Sequence, residues 1–220
     1  MLIGGVDEAG RGPIIGPMVM AIYIMNHEDI DKLRLLGVKD SKLLSKAKRE
    51  EIFDDLMDIA SDCRYKIITS TEIDYSLLKT RFNLNLLEAK TTASLINKDI
   101  IEKIYVDCPS INRAAYETEL RDMLFNKKQR LFVEHKADLN YPVVAAASII
   151  AKVIRDREIE KIKEKYGVDF GSGYLSDPLT KNFLETHFRN YPFFRKSWKP
   201  WKLLDKKRMQ SSLAGFIKND

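Results

Sequence analysis

Asp7 and Glu8 stand side by side at the end of the apolar run LIGGV and are followed at once by the glycine and proline stretch AGRGP. An ionised carboxylate at the end of a buried strand is expensive unless something compensates it. Two further acids occupy comparable places: Asp107 closes the run IYV, and Asp138 follows RLFVEHKA by a short loop. In α/β sheets the carboxyl ends of strands border the crevice where ligands bind. Carboxylates gathered there would raise one another's pKa values unless a divalent cation held them ionised. Such an all-oxygen donor set favours magnesium or manganese over zinc, and the scattered His27, His135 and His187 offer no zinc cluster. Singly, the acids have plainer readings, Asp138 as a helix cap and Asp107, before Cys108 and Pro109, as a turn aspartate. Adjacent strand residues point to opposite faces, so Asp7 and Glu8 are expected to share a site only if the backbone turns between or directly after them.

The loop GRGPIIGP fits neither common phosphate-binding pattern. No Lys and Ser or Thr follow its last glycine, and Pro17 leads into a strand, not a helix. Gly10 and Gly12 still allow backbone to approach a ligand closely, and Arg11 between them presents a charged fork suited to phosphate. The plainer reading is a hairpin loop. Cys63 and Cys108 cannot make a disulfide framework and read as reduced thiols of a cytoplasmic protein, with no signal peptide and no run of membrane-spanning length.

The elements that must position these residues alternate between strand and helix. Strands are expected at Leu2–Val6, Met18–Ile24, 63–70, 103–107 and 130–135, the first two paired antiparallel across a short loop. Helices are expected from about Asp29, from Ser45 across KAKREEIFDDLMDIA, at Ile73–Leu78 and Leu84–Asn97, at 112–127, and from Val143 to Tyr166, where Gly167 stops the last. The small-residue run VVAAASIIAK lets that last helix approach a neighbour closely. This order implies an α/β domain with a mixed sheet and helices packed on it, followed by a helical appendage.

The net charge of +5 is unevenly placed. Residues 188–208 carry eight basic side chains and one acid, a net +7, so the remainder of the chain is slightly acidic. Phe188, Tyr191, Phe193, Phe194, Trp198 and Trp201 lie in the same segment. Cations interleaved with rings suit a polyanion with stackable bases, and equally suit a helix that docks its rings on the core and shows its lysines to water.

GVDEAGRGPIIGP, DSKLLS at 40–45, VDCP at 106–109, EHKADLNYPVVAAASIIAKVIRDREI at 134–159 and GSGYLSDPLT at 171–180, in that order, resemble type 2 ribonuclease H (ribonuclease HII), closest to its archaeal form. The resemblance implies a ribonuclease H-like mixed β-sheet flanked by helices, with a catalytic domain over 1–180, a basic aromatic helical appendage over 181–208 and a tail over 209–220. It makes Asp7, Glu8, Asp107 and Asp138 the catalytic, metal-holding acids, with Asp7 shared between two magnesium or manganese ions. It assigns Gly10, Arg11 and Gly12 to recognition of a ribonucleotide 2′-hydroxyl, Tyr174 to packing on the sugar beside the scissile junction, and Lys42 to a phosphate. Leu43 stands where a second lysine is frequent in the family. The implied activity is hydrolysis of the RNA strand of RNA/DNA hybrids and nicking 5′ of ribonucleotides embedded in duplex DNA, by a monomer. The tail sequence QSSLAGFI is similar to a box that binds the replication sliding clamp, carried by Gln210, Leu213 and Phe216, with Ile217 replacing its second aromatic.

Overall fold

The continuous apolar run MVMAIYIM has no polar face to offer water, and it forms a strand buried on both sides. The computed structural model describes residues 1–38, 44–79 and 82–217, with side chains through 210. Among these residues, β1 (Leu2–Ala9), β2 (Met18–Asn26), β3 (Asp62–Ile68), β4 (Lys103–Asp107) and β5 (Arg130–Glu134) form one sheet in the order β3-β2-β1-β4-β5. The pairs β1–β2 and β2–β3 are antiparallel, and β1–β4 and β4–β5 are parallel, giving the expected mixed sheet. The helices, in chain order, are α1 (Ile30–Leu35), α2 (Lys46–Glu51), α3 (Phe53–Ile59), α4 (Ser70–Lys79), α5 (Leu84–Ile96), α6 (Arg113–Met123), α7 (Ala137–Asn140), α8 (Pro142–Tyr166), α9 (Pro178–His187) and α10 (Lys199–Ile217).

Several boundaries differ from expectation, the helix expected over 112–127 spanning only Arg113–Met123, and three of the differences have a local reason. The helix expected from Ser45 is capped there, with the Lys48 amide donating to Ser45 Oγ at 3.1 Å, but it divides at Ile52 into α2 and α3. That division lets the consecutive Ile52 and Phe53 both be buried. β3 stops at Ile68 because TSTE is a capping box: the Glu72 amide donates to Thr69 Oγ1 and the Thr69 amide to Glu72 Oε2, starting α4 earlier than Ile73. β1 does not end at Val6 but continues through both acids to Ala9.

The chain divides into two compact units. The first comprises Met1–Arg11, Met18–Ile68 and Phe82–Arg157 and contains the whole sheet. On one face of that sheet, Val19, Ala21, Tyr23 and Met25 share a core with Leu33, Phe53, Leu56 and the α8 residues from Val143 to Ile154. The buried Tyr23 hydroxyl donates to the Leu56 carbonyl at 2.7 Å. The alternate β2 residues Met20, Ile22 and Ile24 are buried on the opposite face, and α5 packs against β2 and β3.

The second unit comprises Gly12–Pro17, Thr69–Arg81 and Glu158–Asp220. Its core gathers Ile14, Ile15, Ile159, Phe170, Phe183, Leu184, Phe188, Phe193 and Phe194. The choice left open for the basic segment is thereby decided for its rings: Phe188, Phe193 and Phe194 are core, and Tyr191, Trp198 and Trp201 pack on it partly buried. Arg195 is fully buried as well, its Nε donating to the Gly16 carbonyl at 3.0 Å. Lys196, Lys199, Lys202, Lys206, Lys207 and Arg208 remain exposed. No described helix is long and apolar enough to cross a membrane.

One contact sets how closely α8 lies on the sheet. A Cβ on Gly5 would fall 2.2 Å from the carbonyl carbon of Val143 and 2.3 Å from its oxygen, both backbone atoms that cannot step aside. Only glycine in the middle of β1 admits the helix backbone there. Gly5→Ala is expected to destabilise the protein by about 3 kcal/mol, lowering the thermal midpoint by roughly 6–12 °C in a denaturation scan.

Candidate active site

The parallel ladder between β1 and β4 ends at Val6 and Val106, whereas the pairing of β1 with β2 continues to Ala9 and Val19. The next residue on each parallel strand is an aspartate. Beyond the last ladder pair, one carboxylate oxygen from each of Asp7, Glu8 and Asp107 lies within 4.8 Å of the others. The backbone does not turn between Asp7 and Glu8, and the reversal waits for Gly10, whose φ is +78°. The two side chains keep opposite neighbours: Asp7 is linked to Ser148 and Lys152 of α8, Glu8 to Glu88 of α5. They converge at the strand tip because the ladder has already ended, which brings both faces of the sheet to one edge.

Burial and crowding dominate the electrostatics. Desolvation, then the neighbouring Asp107, pushes Asp7 up to about 7, opposed by hydrogen bonds from the Ser148 hydroxyl and the Glu8 amide and by the Lys152 charge. The Glu8 amide donates to Asp7 Oδ1 at 2.7 Å, and Lys152 Nζ donates to Ser148 Oγ at 2.7 Å. Glu8 is raised well above the usual carboxylate value by burial first, and then by Asp7, Glu88 and Asp107, with Arg11 opposing. Asp107 Oδ1 accepts the Ala137 amide at 2.7 Å, which ties the start of α7 to the tip of β4. That approach uses Lys136 in the left-handed region (φ 57°, ψ 38°), a conformation costing a non-glycine residue roughly 1–2 kcal/mol. Asp138 follows immediately, buried on α7, though its oxygens are not among those meeting within 4.8 Å.

The other residues singled out in the sequence fall in different places. Arg11 does not extend its fork outward: Nε donates to Glu88 Oε1 and a terminal nitrogen to Asn85 Oδ1, each at 2.8 Å. In the second unit, the Gly12 carbonyl accepts Trp198 Nε1 at 3.2 Å, and a Cβ on Gly12 would lie 3.9 Å from Tyr174. Tyr174 is part-exposed in the GSGY turn, where the Gly173 carbonyl accepts the Ile14 amide. Lys42 lies outside the described residues. Gln210 is exposed on α10, and the side chains of Leu213 and Phe216 lie outside the described set. Burial raises the Cys108 thiol above its usual value, which leaves little thiolate there for nucleophilic chemistry.

Glu88, Ser148 and Lys152 were not singled out in the sequence. Ser148 and Lys152 did leave a trace, as polar residues four apart, hence on one helix face, within VVAAASIIAK. Glu88 left a weaker one, since an acid in LNLLEAK reads as an ordinary exposed helix position.

Three hard oxygen donors, crowded and partly desolvated, fit a hard divalent cation, whose charge would relieve the repulsion that burial cannot. A ribonuclease H2 from Pyrococcus horikoshii OT3 superimposes with a TM-score of 0.85 at 41% identity, covering 94% of this chain and 98% of that one. The ribonuclease of a PCNA:RNase HII complex from Archaeoglobus fulgidus matches with a TM-score of 0.82 at 40% identity, over 90% and 96%. The fold and site thus define a ribonuclease H type 2 hydrolase. Residues 4–201 match the family model for ribonuclease HII, and the Nanoarchaeum equitans ribonuclease HII is 50% identical over 201 residues, 90% of this chain and 94% of its own. The chain belongs to the ribonuclease HII family.

A pH dependence follows from the Asp7 carboxyl. Between its ordinary value of 3.8 and about 7, the folded metal-free chain keeps a proton that the unfolded chain has released, so stability falls as pH rises through that window. In chelator, the thermal midpoint is expected to be higher near pH 5 than near pH 7.5, and Asp7→Asn to raise the midpoint near pH 7.5 and flatten the slope.

Proposed function

We propose that the protein is an endonuclease that hydrolyses the RNA strand of RNA/DNA hybrids and nicks duplex DNA on the 5′ side of an embedded ribonucleotide, leaving 5′-phosphate and 3′-hydroxyl ends. The observation that carries this reading is the meeting of Asp7, Glu8 and Asp107 at the end of the β1–β4 ladder in a chain of this family. Two magnesium or manganese ions held by these carboxylates and Asp138 would supply positive charge to the transferring phosphate and make a hydroxide nucleophile accessible at neutral pH.

The chain's own residues have distinct tasks in this reading. Asp7 is the shared ligand, and Ser148 and Lys152 aim its carboxylate and favour its ionised form. The Ala137 amide fixes one oxygen of Asp107 and so sets the direction of its carboxylate. Asp138 completes the donor set from α7. Phosphoryl transfer asks mainly for charge and position, which this arrangement offers without a covalent nucleophile. RNA must be distinguished from DNA at the 2′-hydroxyl, and the backbone groups of Gly10, Arg11 and Gly12 are assigned that contact, Tyr174 the adjoining sugar and Lys42 a phosphate. The exposed lysines of residues 196–208 supply phosphate contacts that follow the duplex without reading its sequence.

We assign the C-terminal box to a sliding clamp of the PCNA type. The Archaeoglobus fulgidus relative, at 40% identity, is described in complex with PCNA, and Gln210, the first residue of this chain's box, is exposed.

On a duplex holding one internal ribonucleotide, with magnesium present, a single nick is expected. A ladder of end-trimmed products would instead identify an exonuclease. Asp7→Asn should retain duplex binding by fluorescence anisotropy while cleavage falls roughly 10³-fold, the scale of losing a main electrostatic contact to the transition state. A chain ending at Met209 should keep its nicking rate and lose clamp binding by calorimetry. Undiminished binding would refute the assignment of Gln210, Leu213 and Phe216.

A further inference from the structure

Glu88 is fully buried on α5, where an uncompensated carboxylate would be costly. Its compensation is Arg11, whose Nε donates to Glu88 Oε1 at 2.8 Å. One helical turn earlier on the same face, Asn85 Oδ1 accepts a second Arg11 nitrogen at 2.8 Å. The amide of that same Asn85 then donates to Ser110 Oγ at 3.0 Å, and Ser110 is itself buried. A single turn of α5 therefore grips two segments at once, the loop that leaves β1 after Asp7 and Glu8, and the loop that leaves β4 after Asp107. These are the two strands whose ladder ends at Val6 and Val106, so the grip lies beyond the last backbone bonds that join them.

The choice of residues fits a positioning task better than simple cohesion. Arg11 offers a rigid planar fork, and engaging it through Nε and a terminal nitrogen fixes the direction of the whole side chain. With that side chain fixed at both donors, the backbone between Gly10 and Gly12 loses freedom that two flanking glycines would otherwise give it. The guanidinium charge also reaches Glu8, which Glu88 raises and Arg11 lowers.

We propose that Glu88 and Asn85 are positioning residues for ribonucleotide recognition, acting through Arg11 to hold the Gly10–Arg11–Gly12 backbone in the register that reads a 2′-hydroxyl. This rests on the assignment of that loop made above. A duplex with one ribonucleotide offers a single 2′-hydroxyl and depends fully on the register, whereas a long hybrid offers one at every step of the RNA strand. Loosening the grip should therefore cost more on the first substrate than on the second.

The test compares kcat/KM on a one-ribonucleotide duplex with kcat/KM on a long RNA/DNA hybrid, alongside the thermal midpoint of each variant. Glu88→Gln keeps the size and an acceptor but removes the charge, and Asn85→Ala removes the second contact while sparing the buried acid. Each is expected to lower the single-ribonucleotide to hybrid ratio about tenfold or more, the range for a hydrogen bond to a charged group. In an Arg11→Ala background, Glu88→Gln should produce no further fall in the ratio, because its route of action is already gone. Equal losses on both substrates, or additive effects in the double variant, would overturn the proposal and leave Glu88 as a structural acid. If Glu88→Gln fails to fold, the Asn85→Ala ratio and its cycle with Arg11→Ala decide the matter alone. An unmodified enzyme that nicks neither substrate would instead defeat the functional reading on which the proposal rests.

Discussion

Asp7, Glu8 and Asp107 cannot all carry full negative charge within 4.8 Å of one another, in a partly desolvated niche, without an opposing charge close by. Much of the local architecture is arranged around that constraint. Ser148 and the Glu8 amide donate to Asp7, the Ala137 amide donates to Asp107, and the charge of Arg11, paired with Glu88, opposes the rise of Glu8. These contacts moderate the repulsion but leave Asp7 and Glu8 raised, a balance that a cation would restore. A site of this kind is costly for the folded chain alone, and a bound cation would offset that cost.

The sheet supplies the place where such crowding is possible. A parallel ladder that stops at Val6 and Val106, next to an antiparallel ladder that runs on to Ala9, opens a gap on one side of β1 while keeping the strand itself extended. Asp7 and Glu8 reach the gap from opposite faces, one attended by α8 and the other by α5. α8 can attend closely because Gly5 admits its backbone against β1, and its alanines bring Ser148 and Lys152 with them. The glycine, the small-residue run and the two polar residues within it thus serve one geometric end.

Residues 188–208 show how composition can mislead when burial is unknown. Rings and cations share the segment in sequence but separate in space: the phenylalanines enter the core of the second unit, and the lysines of α10 stay in water. Arg195 goes further and is buried, with the Gly16 carbonyl as partner and the Trp198 ring beside it. What the segment presents to solvent is accordingly a charged surface backed by aromatics, not a stacking platform.

The mixed α/β order, the helix caps and the acids at strand ends were all legible in the residues, because periodicity, capping chemistry and the cost of burying charge act over a few neighbours along the chain. The family motifs made the same acids legible again by another route. Local patterns could not show that β1 would run on through Asp7 and Glu8, since the extra ladder depends on Ala21 and Met20 lying opposite. Nor could they show that Arg11 would turn to Glu88, a residue 77 positions away whose burial depends on the packing of α5. Sequence alone determined which chemical groups were present and roughly which element carried each. The tertiary structure decided which carboxylates meet, which charges balance them and which cations stay exposed, because those outcomes depend on distances between segments far apart in the chain and on the water excluded where they close.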